Sequence, residues 1–291
     1  MVLLEVCCTS LDSALAMLRA GAQRLEICSD LSCGGLTPTW LNLLHPGTFQ
    51  LIQHHPDSLP PIRQHSGNSL STNTLQPIQQ EPGSSSNIAA DLQFQTSAYS
   101  LEEFLDRTHV LIRCRPGNFC YSYAEVEAMC ESIRLCRQIG VRGVVIGALT
   151  PEGHPDLPAL SRMIHAANGP NTTPTTAAAT SSGTADTGLG HMTLVFHRAF
   201  DECLDPFGAL EQIINLGFSA ILTSGQASNA EAGIPMLKQL VERAAGRITI
   251  MAGKGVTADN AAKIIRQTDV SAVHLSERPG IRLPRTLHSS Y

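Results

Sequence analysis

The chain has 291 residues, 43% of them apolar, and a formal net charge of −5. With no basic block it carries no electrostatic footprint for nucleic acid, and its longest apolar runs are strand-length, which excludes a membrane-spanning helix. Nine cysteines, an odd number without the spacing of a disulfide framework, point to reduced thiols and a cytoplasmic protein.

This length accommodates two small domains or one large α/β domain. The first run, Leu3–Cys8, reads as a strand that begins almost at once, without the basic region and cleavage site of a secretory signal. A helix is expected over Ser10 to Ala20, opened by a serine cap and stopped at Gly21. Arg24–Cys28 is the second strand. From His45 to about Ser100 the chain is rich in Ser, Gln, Pro and His without sustained periodicity, the composition of a disordered insertion. Its histidines (His45, His54, His55, His65) read as solvated loop residues rather than ligands.

Strand-like runs then recur at His109–Arg115, Gly143–Leu149, Thr193–Arg198, Ser219–Thr223, Ile248–Met251 and Ala272–Ser276. Helical patterns lie at Ser122 to Ile139, Pro206 to Leu216, Asn229 to Ala245 and Thr257 to Thr268. A Thr/Ala/Gly/Ser tract, Ala167 to Gly190, is expected to be a second disordered insertion. Eight strands alternating with helices predict an α/β protein with a single TIM-like (β/α)8 barrel over residues 1–291. After Ser276 only a short polar tail remains, so the last helix is expected to be truncated or missing. Strands one and eight would then lack part of their cover, and marginal stability or a partner is expected.

In such barrels ligands bind at the carboxyl ends of the strands. The run Leu194-Val195-Phe196-His197-Arg198-Ala199-Phe200-Asp201 ends there in a cluster of titratable groups. Strand alternation pairs Glu5 with Cys7, Glu26 with Cys28, Arg113 with Arg115 and His274 with Ser276 on common faces. If those faces point inward, Cys7, Cys28, Arg115, His197 and Ser276 converge near the upper layer. Glu5 and Glu26 would neutralise Arg113 and Arg115. The bland alternative is a salt-bridge network that only closes the barrel.

Two thiolates beside an imidazole form a soft donor set suited to Cu(I), with zinc also open. A second feature, Gly253-Lys254-Gly255 ahead of a helix, together with Thr223-Ser224-Gly225, offers backbone and hydroxyl donors to an anion. An ordinary tight turn followed by a helix cap is the competing account.

These motifs together resemble the CutC family of copper homeostasis proteins. The resemblance rests on Leu4-Glu5-Val6-Cys7, Arg24-Leu25-Glu26-Ile27-Cys28-Ser29 and Gly34-Gly35-Leu36-Thr37-Pro38. It continues through Ile112-Arg113-Cys114-Arg115, Gly147-Ala148-Leu149-Thr150 with Gly153-His154, and Phe196-His197-Arg198-Ala199-Phe200-Asp201. Leu222-Thr223-Ser224-Gly225 and Gly253-Lys254-Gly255 complete it, in family order. The resemblance implies a TIM-like barrel, a cytosolic copper-binding role, a homodimer, and Cu(I) binding through Cys7 and Cys28. The chain departs from the family pattern at Cys114, where proline is usual, at Lys254, where a glycine is usual, and at Glu277, where arginine is usual.

The sequence therefore supports two functions. In the first, the protein binds Cu(I) through Cys7 and Cys28 without turnover. In the second, it is an enzyme acting on a small anionic metabolite, phosphorylated or carboxylated. The anion would then be held by Arg113, Arg115, Ser224, Gly225, Gly253, Gly255 and Ser276. His197 would serve as general acid or base, oriented by Asp201 or a glutamate such as Glu26.

Overall fold

A computed structural model describes residues 2–39, 99–169, 191–277 and 283. Nearly all of both insertions, including the four histidines of the first, lies outside the described residues. Of the first, Tyr99 and Ser100 are seen; Ser100 caps a helix and Tyr99 packs on the core. Of the second, Ala167 and Asn168 are seen as the last turn of a helix rather than loop.

The strands are β1 (Leu3–Cys8), β2 (Arg24–Ile27), β3 (Thr108–Leu111), β4 (Gly143–Ile146), β5 (Thr193–Phe196), β6 (Ala220–Thr223), β7 (Thr249–Ala252) and β8 (Ala272–Ser276). They pair in sequence order and in parallel, and β8 closes on β1 with Leu3 opposite Ala272 and Cys7 opposite Ser276. The architecture is a TIM-like barrel. Between the strands lie α1 (Leu11–Arg19), α2 (Leu101–Asp106), α3 (Tyr123–Ile139), α4 (Leu157–Asn168), α5 (Pro206–Asn215), α6 (Ile234–Ala244) and α7 (Ala258–Thr268). Among the described residues no helix follows β8, and none is long and apolar enough to cross a membrane. Leu283, beyond β8, packs against the core.

Local chemistry sets the helix ends. Ser10, Ser122 and Thr257 each cap a helix reciprocally with the residue three positions on. Asp205 accepts from the amides of Phe207 and Gly208 at the start of α5, with Pro206 in the first turn where its missing N–H is harmless. Gly140 ends α3 at φ +89°, a conformation glycine adopts without strain. The helix expected from Asn229 starts only at Ile234. Gly233 lies so close to the Ser224 carbonyl that a Cβ would collide with it, so a turn occupies 229–233.

Strand alternation divides the core in two. One set of side chains (Val6, Cys8, Leu25, Ile27, Val144, Ile146, Phe196) packs outward against the helices. The other (Cys7, Cys28, Leu111, Val145, Val195, Ala220, Leu222, Met251, Ala272) fills the barrel interior. Polar side chains share that interior, for Glu5, Glu26, His109 and His274 are buried on the same strand faces.

Candidate functional site

Cys7 and Cys28 project from neighbouring inner-face positions of β1 and the end of β2, and their Sγ atoms lie 2.9 Å apart. Both are buried. The Cys7 thiol also donates to Glu26 Oε1 at 3.4 Å. Since Cys7 has one proton, the Cys28 thiol is the donor in the Sγ–Sγ contact, giving a relay from Cys28 to Cys7 to Glu26. The neighbouring Cys28, burial and the Glu26 carboxylate together push the Cys7 thiol well above its usual range. At rest the Cys7 thiol is protonated.

His274 on β8 completes the group, for Cys7, Glu26 and His274 each bring a donor atom within 4.8 Å of the others. Its Nδ1 lies 2.7 Å from Glu5 Oε1, so the ring offers Nε2 to a ligand. A carboxylate behind the far ring nitrogen is the usual support of a metal-binding histidine. Glu5 is wholly buried and is also bound by Arg24 Nε at 2.5 Å. Burial would raise the Glu5 pKa, but Arg24 and His274 outweigh it and hold the carboxyl below its usual range. The same balance runs the other way at His274, where burial is outweighed by Glu26 and Glu5 and the pKa rises. Glu26 is raised by burial and by Glu5, and its Oε2 has no partner.

Cys7, Glu26 and His274 line a cavity of about 470 Å³ at the barrel mouth, together with Arg113, Phe119, His197, Lys254, Gly255 and Ser276. His197 is buried, and its Nδ1 accepts from the Ala199 amide at 3.1 Å, which fixes the ring proton on Nε2. Burial, with Arg113 and Arg198 nearby, pushes its pKa down to about 3, so the ring is neutral, and the residue lines the cavity.

Several expected roles change. Arg115 does not reach the mouth: it bonds Glu125, Asn118 and the Cys120 carbonyl, because the chain leaves the sheet after Leu111 and its alternation no longer points inward. Glu5 and Glu26 pair with neither Arg113 nor Arg115; Arg113 is held by the carbonyls of Cys33, Gly35 and Gly117. Asp201 does not orient His197. It accepts from the Thr223 and Ser224 hydroxyls and the Ser224 amide, and pairs with Arg198, tying the β5 end to the β6 end.

Ser224 and Gly225 lie in that same joint and off the cavity, the Gly225 amide bonding Thr223 Oγ1. Gly253 is likewise off it, its amide donating to the Thr223 carbonyl. At the α7 start Thr257 and Asn260 cap each other, so those donors are already occupied. Of the expected anion binders, Arg113, Gly255 and Ser276 line the cavity.

Sequence reading missed Arg24, His274 as a ligand candidate, and Phe119. The first two were legible: Arg24 shares the alternating face of Glu26 and Cys28, and His274 sits opposite Glu5 across the closing seam. Phe119 arrives from a loop, where no periodicity marks it.

The CutC family model matches residues 2–69, 101–180 and 178–279. CutC family proteins from Bacteroides fragilis and Bacteroides thetaiotaomicron are 34% and 35% identical, each over 96% of this chain and 82% of the relative. One from Pasteurella multocida is 35% identical over 96% of the chain and 83% of the relative. The crystal structure of CutC from Streptococcus agalactiae superposes with a TM-score of 0.63 at 26% identity, covering 96% of this chain and 99% of that one.

Proposed function

The chain belongs to the CutC family, and on that footing we propose that it is a copper homeostasis protein that holds Cu(I) between the thiolates of Cys7 and Cys28. The observation that carries this reading is the pair of buried thiols 2.9 Å apart, of which Cys7 lines the cavity at the barrel mouth. Thiolate is the soft donor that selects Cu(I) over harder ions. His274 and Glu26 each bring a donor atom within 4.8 Å of Cys7 as further ligands, and Glu5 keeps the His274 ring oriented.

Loading requires movement and proton release. At about 2.3 Å per metal–sulfur bond, an ion between two sulfurs needs them about 4 Å apart or more. Cys7, which faces the cavity, must therefore swing away from Cys28. Both thiol protons leave as the ion binds, through Glu26 or directly to solvent, so affinity rises with pH. The residues bind, exchange and shield the ion; no turnover is involved.

Nine free cysteines suit a reducing cytoplasm, the proposed location. A homodimer is the proposed assembly, to be tested by light scattering. X-ray absorption of the anaerobically loaded protein tests the site: two sulfur ligands per copper are expected, and a shell of nitrogen and oxygen alone would sink the reading.

A further inference from the structure

The thiol pair does not explain the other side of the cavity. Arg113 is only 6% exposed, yet no carboxylate lies within ion-pair distance of it among the described residues. Three backbone carbonyls hold its terminal nitrogens, and its Nε has no acceptor. His197 repeats the pattern, since its Nε2 carries a proton and has no partner among the described residues. Both side chains line the cavity and share one wall: Phe119 lies 5.0 Å from the Arg113 guanidinium carbon and 4.9 Å from the His197 ring.

A buried cation without a counter-charge and a buried donor without an acceptor are each costly in the empty protein. Both belong to side chains that line one cavity, and they share one remedy. Lys254 reaches the same cavity with its ammonium on the Ala227 carbonyl at 3.2 Å and, among the described residues, no acidic partner. The volume, about 470 Å³, suits a small metabolite.

We infer that the barrel mouth is a binding site for a small organic oxyanion, a carboxylate or phosphate ester, taken by Arg113 as its counter-charge, by the His197 Nε2 proton and by Lys254. The Phe119 ring and Leu222 supply an apolar wall for the carbon skeleton. His197 acts here as a neutral donor, which differs from the general base expected from sequence. This site stands on different residues from the thiol pair, so either can fail without the other.

Calorimetric titration at fixed ionic strength, with the metal-free reduced protein, distinguishes the two anion sources. Glycerol 3-phosphate is the phosphate probe, malate the carboxylate probe and glycerol the uncharged control. Binding of at least one anion with a Kd below about 1 mM is expected, and none of glycerol. Losing one charge-assisted contact weakens binding about tenfold or more, which is the effect expected for Lys254→Gly and for Arg113→Gln. Arg113→Gln also removes carbonyl contacts and can unfold, whereas Lys254 is exposed with φ +70°, a backbone geometry glycine accepts, so Lys254→Gly keeps the test alive. The inference is overturned if neither anion binds, if glycerol binds equally well, or if Lys254→Gly binds as the parent does.

Discussion

Glu5 and His274 face each other across the seam that closes the barrel, Oε1 to Nδ1 at 2.7 Å, on strands 269 residues apart in sequence. The contact joins architecture to chemistry. It neutralises a wholly buried carboxylate, helps close β8 on β1, and leaves the other ring nitrogen for the mouth. Glu277 adds a second tie at the same seam, accepting from the Thr9 amide at 2.9 Å.

Replacing Glu5 removes the shared acceptor of Arg24 and His274 and leaves two buried donors. Breaking one partner of a buried pair costs about 3–5 kcal/mol. Glu5→Gln is therefore expected to lower unfolding free energy by about that amount in urea titration. A loss under about 1 kcal/mol would contradict this account of the seam.

His109 and His197 are held neutral, each with its pKa pushed down to about 3, mainly by burial and secondly by Arg24 and Arg113 respectively. In the unfolded chain their pKa is about 6.5, so below that pH the unfolded state binds the extra protons. Their contribution to stability is complete above about pH 6.5 and is lost progressively toward pH 3, by up to about 1.4 kcal/mol per pH unit for each histidine. His274 and Glu26, both shifted upward, act in the opposite sense, so variants must assign the slope. Urea midpoints between pH 7 and 5 should fall less steeply in His109→Gln and in His197→Gln. An unchanged slope in both would contradict the neutral assignment.

Lys254 occupies a left-handed backbone conformation at φ +70°. That conformation costs a non-glycine residue about 1–2 kcal/mol, partly offset by the larger entropy glycine loses on folding. Lys254→Gly is expected to be neutral or to stabilise by up to about 1 kcal/mol. Lys238→Gly, in the exposed interior of α6, is expected to destabilise by about 1 kcal/mol. Thermal melts of the two variants check the contrast, and equal losses would defeat it.

Much of this was legible in the chain because barrel strands obey a period of two. Counting alternate residues from Glu5 and Glu26 is enough to put Cys7 and Cys28 on one inner surface. The rule failed where the strand stopped: β3 ends at Leu111, so Arg113 still reaches the mouth but Arg115 does not. Asp201 was misassigned because its partners, Thr223 and Ser224, come from the next strand, and sequence neighbourhood made His197 look nearer in role. The α4 helix carried a readable apolar face in Ala159, Leu160, Met163, Ala166 and Ala167, but it runs into a low-complexity tract that masked its end. The left-handed geometry at Lys254 had a trace in sequence, since the resembling family places glycine there. Nothing in the sequence could show that Arg113 has no carboxylate beside it among the described residues, because that depends on loop carbonyls folding over it.

The central claim is that Cys7 and Cys28 hold copper. An anaerobic Cu(I) titration against a competing chelator, comparing the parent with Cys7→Ser/Cys28→Ser, tests it most directly. The account predicts tight one-to-one binding by the parent that disappears in a double variant with an unchanged melt. Equal affinity in both proteins, or negligible binding by the parent, would contradict it.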